Sequence, residues 1–153
     1  MDVSSTLLVI DQTDVPGGPG VAPGQTYQKL IGVDDRPTDR VRLGRAVYEP
    51  GTLETLHWHP IEALYYVISG HATVRDIEGH EFPVGPGSIV YAPAGLAGAH
   101  EWDVAEHLEL LDIRATNDAS RKLQFTVDRT TLRSSIEVEE LAQRDGISFP
   151  SHY

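Results

Sequence analysis

GTLETLHWHPIEALYYVISG, residues 51 to 70, decides how this chain is read. Alternate side chains of a strand share a face, so the run predicts Leu53, Thr55, His57 and His59 on one side and Glu54, Leu56 and Trp58 on the other. Two imidazoles at i and i+2 on one strand can converge on a single ion. Gly51 opens the run and Pro60 ends its strand, which sets the pair apart from two polar residues on a solvated face.

From Val41 onward the chain breaks into short β-rich runs divided by turn residues: RAVYEPG, TLETLHWHP, ALYYVISG, ATVRDIEG, HEFPVGPG, SIVYAPAG and HLELLDIRA. No amphipathic helix separates them, a pattern that predicts an all-β sandwich or barrel. A chain of 153 residues suffices for one compact domain with a real core. Upstream, VPGGPGVAPGQ (Val15 to Gln25) is too rich in Gly and Pro for helix or central strand and reads as a loop after a strand at roughly Thr6 to Ile10. Downstream, SSIEVEELAQRDG predicts a short helix at about 135–145. Ser134 and Glu137 fit a capping box, Val138, Leu141 and Ala142 recur at helical spacing, and Gly146 supplies the stop. The expectation is one domain over 1–153, with its barrel at about 41–114 between an N-terminal segment and a C-terminal extension.

Composition narrows the chemistry. Twelve Lys and Arg against twenty-three Asp and Glu leave a net charge of −11, which repels phosphate backbones and anionic lipid surfaces. Neither nucleic acid nor membrane is an expected partner. With no cysteine in the chain, disulfides, thiolate nucleophiles and metal–thiolate sites are excluded, so any metal must be held by His, Asp or Glu. No apolar run is long enough to span a bilayer, and MDVSSTLLVIDQTD lacks the basic start and long apolar stretch of a secretory signal, so cytoplasmic residence is expected.

The spacing of residues 51–70 resembles the first motif of the cupin superfamily, G-x5-H-x-H-x3,4-E-x6-G, in Gly51, His57, His59 and Gly70. GSIVYAPAGLAGAH resembles the second, G-x5-P-x-G-x2-H, in Gly87, Pro93 and Gly95. The resemblance covers about residues 41 to 114 and implies a small β-barrel with a metal at its mouth. Two departures matter. Counting back from Gly70, Ala63 stands where the family's glutamate ligand would be, and Glu62 comes one residue early, where alternation turns it away. A ligand role for Glu62 would need a bulge. In the second motif Gly98 takes the histidine position, and a two-residue insertion in the small-residue turn GLAGA brings His100 to it.

His57, His59 and His100 are therefore the candidate metal ligands. Three neutral imidazoles without a carboxylate would leave a divalent ion its charge and its open positions, favouring a chelating anion such as the enolate of a β-dicarbonyl or an α-hydroxyketone. In this the chain looks like the cupin dioxygenases that cleave carbon–carbon bonds in acetylacetone and dihydroxyacetophenone. That resemblance implies Fe(II), although Zn, Ni, Mn and Cu also suit imidazole. Cupin isomerases and polyketide cyclases, and a non-catalytic ligand-binding barrel, are the alternatives. Glu62 or Tyr65 would handle protons or orient substrate, and Ala63, Tyr65, Trp102 and His107 are candidate pocket walls. His107 would join the site if it points inward with Glu109 and Leu111. Trp58 and Trp102 weigh towards packing, and His71, His80 and His152 towards solvent. The substrate is expected to be a small molecule. The apolar β runs and the tail ISFPSHY suggest a homodimer.

Overall fold

The computed structural model describes residues 2–33, 35–115 and 123–136. Its strands are β1 (Gly18–Pro19), β2 (Gln25–Ile31), β3 (Arg42–Tyr48), β4 (Leu53–Trp58), β5 (Ala63–Ser69), β6 (Ala72–Asp76), β7 (Glu81–Val84), β8 (Ile89–Ala92), β9 (His100–Val104), β10 (Leu108–Arg114), β11 (Phe125–Val127) and β12 (Ser134–Ser135). They form two antiparallel six-stranded sheets, ordered β1-β2-β3-β10-β5-β8 and β12-β11-β4-β9-β6-β7, packed as a jelly-roll sandwich. Period-two sequence patterns bury one face of each strand. In β3, β5 and β10 every second residue is buried, and Ala46, Tyr48, Val67, Trp102, Val104, Leu108 and Leu110 fill the space between the sheets.

The expected β runs are present as β3 to β8 and β10, while β2, β9, β11 and β12 come from segments that the pattern did not single out, and the two-residue β1 falls within the stretch Val15 to Gln25 expected to be a loop. No strand forms over Thr6–Ile10. The place beside β3 is taken by β2, so this apolar segment has no ladder partner, and Val3, Leu7 and Val9 stay exposed. Ser134 and Ser135 pair with β11 rather than opening a helix, Ile136 is not helical, and residues 137–145 of the expected helix lie outside the described residues.

One irregularity decides the geometry of the interior. Between β4 and β9, Glu54 pairs with Trp102 and His57 pairs with His100, three steps on one strand against two on the other. This bulge breaks the expected alternation. Leu53 and Thr55 face outward, whereas Glu54 and His57 are both buried. Leu56 is buried on the opposite side, against Ala99 and Val127.

The turn between β5 and β6 depends on Gly70. It has φ 87°, and a Cβ there would lie 2.0 Å from the carbonyl oxygen of His107. Gly79 has the same φ of 87° but faces open space. Gly79→Ala is therefore expected to cost about 1 kcal/mol, the left-handed penalty alone. Gly70→Ala should cost about 3 kcal/mol or more, because the clash adds to that penalty. Urea midpoints of the two variants check this, and equal losses would contradict it.

Candidate metal centre

His57 on β4 and His100 on β9 are direct cross-strand partners, with ring centroids 4.4 Å apart. His59 follows the end of β4, its ring 5.1 Å from that of His57. Its backbone carbonyl accepts a hydrogen bond from Gly95 N at 2.9 Å, which ties the first histidine motif to the turn carrying the third histidine. The two extra residues of that turn are absorbed by a single 3-10 turn, Leu96–Gly98. Gly98 is required there, since a Cβ would lie 1.9 Å from the carbonyl oxygen of Pro93.

Each imidazole is oriented by a backbone carbonyl. His57 Nδ1 lies 2.7 Å from Thr55 O, His59 Nδ1 3.0 Å from Leu123 O, and His100 Nδ1 2.9 Å from Gly98 O. A carbonyl can only accept, so Nδ1 donates in all three, leaving Nε2 of each neutral ring as the nitrogen to offer an ion. Outer partners of this kind fix the tautomer and the ring plane of metal-binding histidines. One ring nitrogen from each residue falls within 4.8 Å of the other two, and all three side chains are buried. The donor set fits a divalent transition metal. Nε2 of His59 is buried with no hydrogen-bond partner among the described residues, as a nitrogen kept for a metal would be.

Burial holds the His59 and His100 rings neutral. Desolvation pushes His100 down to about 3, with the His57 ring adding to the effect. His59 is held well below the ordinary imidazole value, first by burial and then by the nearby Arg114 charge. Metal binding therefore need not displace a proton from either ring at neutral pH.

The other candidates separate cleanly. Ala63 is buried at the inward start of β5. Tyr65 shares that face, and its hydroxyl lies 3.2 Å from His100 Nε2. Trp102 is fully buried with its ring 5.4 Å from Tyr65, so it belongs to the packed floor beneath the histidines. Glu62 is exposed, because Ala63 takes the inward position of the β5 alternation. His107 is also exposed. On β10 it is Leu108, Leu110, Asp112 and Arg114 that point inward, not Glu109 and Leu111. Trp58 stacks on Phe125 at 4.0 Å and donates to Ser134 Oγ, while His71 and His80 pair with Glu106 and Asp76 at the surface.

Four charged residues that the sequence reading passed over, Arg42, Glu54, Asp112 and Arg114, lie inside. The bulge carries Glu54 into the interior, where Oε1 lies 3.5 Å from His57 Nε2 and Oε2 accepts from the Tyr48 hydroxyl at 2.7 Å. Gln25 Nε2 donates in turn to Tyr48 at 2.9 Å. Burial raises the Glu54 carboxyl above its ordinary value, against the Tyr48 hydrogen bond. Arg114, at the inward end of β10, pairs with Ala63 in the ladder and sets its guanidinium 5.4 Å over the Tyr65 ring. A cleft of about 540 Å³ runs between the β7 and β8 edges to His100, lined by Val74, Phe82, Val84, Val90 and Ala92 among others.

The family model described as the cupin domain matches residues 44–114. These residues carry the cupin fold. Among solved structures, the chain is similar to the polyketide cyclase RemF of Streptomyces resistomycificus, with a TM-score of 0.64 at 23% identity over 72% of this chain and 80% of that one. It is similar also to ectoine synthase from P. lautus (TM-score 0.61, 14% identity, 72% and 78% covered) and to KdgF from Halomonas sp. (0.59, 19%, 69% and 92%). At these identities the likeness speaks for the cupin fold. No curated protein matches this chain.

The depressed histidines set a pH dependence for the metal-free chain. Between pH 6.5 and about 3 the unfolded chain protonates a histidine at position 100 and the folded chain does not. Stability is thus unaffected by this group above pH 6.5 and falls below it, by up to about 1.4 kcal/mol per pH unit. Urea unfolding in the presence of a chelator should show a shallower acid slope in His100→Gln than in the parent. Identical slopes would contradict the assignment.

Proposed function

We propose that this chain is a metal-dependent cupin enzyme that holds Fe(II) through His57, His59 and His100 and acts as a dioxygenase on a small chelating carbonyl or enol compound. The supporting observation is the convergence of three backbone-tethered imidazoles within 4.8 Å, with Ala63 at the inward position beside them. His57, His59 and His100 would hold the divalent ion, which would supply Lewis-acid activation of a carbonyl and the redox chemistry of an oxygenase. The protein's own part is placement. The carbonyl tethers hold the rings, Tyr65 presents a hydroxyl beside His100, and Glu54, braced by Tyr48, sets a carboxyl group beside His57. The apolar walls of the cleft suit an alkyl or aryl arm on the substrate.

A second reading drops the oxygen. The Tyr65 hydroxyl, 3.2 Å from His100 Nε2, could hand a proton to an enolisable substrate, and the fold is shared with a polyketide cyclase. Zinc would serve such a cyclase or isomerase. We also propose that two chains associate through the outer face of the first sheet, where Leu64, Tyr66, Ile68, Ile89 and Tyr91 are exposed together on the paired strands β5 and β8.

Anaerobic iron loading followed by oxygen-electrode assays with β-dicarbonyl and α-hydroxyketone compounds tests the leading reading. The expected result is one metal per chain and substrate-dependent oxygen uptake. Full zinc occupancy with oxygen-independent turnover would favour the second reading, and a chain indifferent to any divalent metal would defeat both. His57→Ala should weaken metal binding by more than about 100-fold, since lost outer partners alone cost about 10–100-fold.

A further inference from the structure

Beside the three histidines, two buried guanidiniums face one ion-paired buried carboxylate among the described residues. Arg42 and Arg114 are cross-strand partners at the ends of β3 and β10, and both are more than nine-tenths buried. The buried carboxylate between them is that of Asp112, 2.9 Å from Arg114 Nε and 3.1 Å from Arg114 Nη2. The Tyr27 hydroxyl donates to Asp112 at 3.2 Å and accepts from Arg42 Nη2 at 3.2 Å. Two guanidiniums thus share one carboxylate. Arg114 Nη1 and Arg42 Nε have no hydrogen-bond partner among the described residues, although both atoms are buried. A buried guanidinium donor without an acceptor is costly, and a native site that keeps one calls for an explanation.

The position of Arg114 supplies one. Its ladder partner on β5 is Ala63, a short side chain that is itself buried. Its guanidinium lies over the face of Tyr65, whose hydroxyl reaches His100, and its charge is felt at His59. An anion placed beside Ala63 could meet Arg114 on one side and the three-histidine centre on the other. Arginine is suited to this, since its planar fork matches a carboxylate in two parallel hydrogen bonds and stays charged when buried.

We infer that Arg114 is a substrate-anchoring residue that receives a carboxylate, making the substrate an oxo acid whose carbonyl turns to the metal and whose carboxylate turns to Arg114. The inference rests on the three-histidine reading of the centre for the carbonyl end alone. The carboxylate end stands on the arginine geometry and is measurable without metal.

Acetate is the probe, with acetamide as its neutral counterpart, titrated into the chelator-treated full chain while the Arg114 Nε–H signal is followed by NMR. Acetate should shift that signal saturably and acetamide should not. Arg114→Met should lose acetate affinity by roughly tenfold to a hundredfold, the range for a charge-assisted hydrogen bond, followed there by ligand-observed NMR. Its metal affinity should be equal or higher, because a positive charge near the ion is gone. As Arg114→Met leaves Asp112 buried without its main partner, the double variant with Asp112→Asn is measured beside it, with the same loss expected. Acetate binding that survives in either folded variant, or a parent chain that binds acetate no better than acetamide, would overturn the inference. Absence of metal binding in the parent would defeat the proposed function while leaving the acetate result to stand by itself.

Discussion

The site depends on one extra residue in β4. Without the shift between Glu54 and His57, strict alternation would put the β4 residue facing Trp102 two positions, not three, from the residue facing His100. With it, His57 and His100 face each other across a ladder rung and Glu54 is carried inside with them. The cost of the bulge is a local break in the ladder, which the adjacent Leu56 packing against Ala99 and Val127 offsets. Bulges re-aim side chains, and here the bulge brings Glu54 and His57 to the interior together.

Around that bulge the interior is polar. Gln25, Tyr48 and Glu54 form one hydrogen-bonded chain, and Tyr27, Asp112, Arg42 and Arg114 form another. Tyr65 lies between them, with its hydroxyl at His100 and its face under Arg114. Buried networks of this kind are costly when incomplete, and Arg42 Nε and Arg114 Nη1 stay without a hydrogen-bond partner among the described residues.

Much of this was legible in the sequence. The β runs and turn residues indicate the sandwich, and the spacing of Gly51, His57, His59 and Gly70 indicates the family, because glycine geometry and strand period are local properties. His100 was found by allowing two residues into the turn, which the 3-10 turn at Leu96–Gly98 accommodates. Glu54 was not found. A bulge leaves no mark in a single sequence, and alternation sent this residue to the wrong face. Arg114 had a signal that went unread: in HLELLDIRA, Asp112 and Arg114 continue the face of Leu108 and Leu110, a charged pair in an otherwise apolar stripe. The β9 strand was obscured by the charged residues of HEWDV, whose inward members are His100, Trp102 and Val104.

X-ray absorption at the metal edge of the iron-loaded chain tests the central claim most directly, because multiple scattering from imidazole rings counts the histidines bound. The account predicts three imidazoles at about 2.1 Å in the parent chain, near the usual metal–imidazole distance, and two in His100→Ala. A parent chain with two imidazoles, unchanged by the loss of His100, would contradict it.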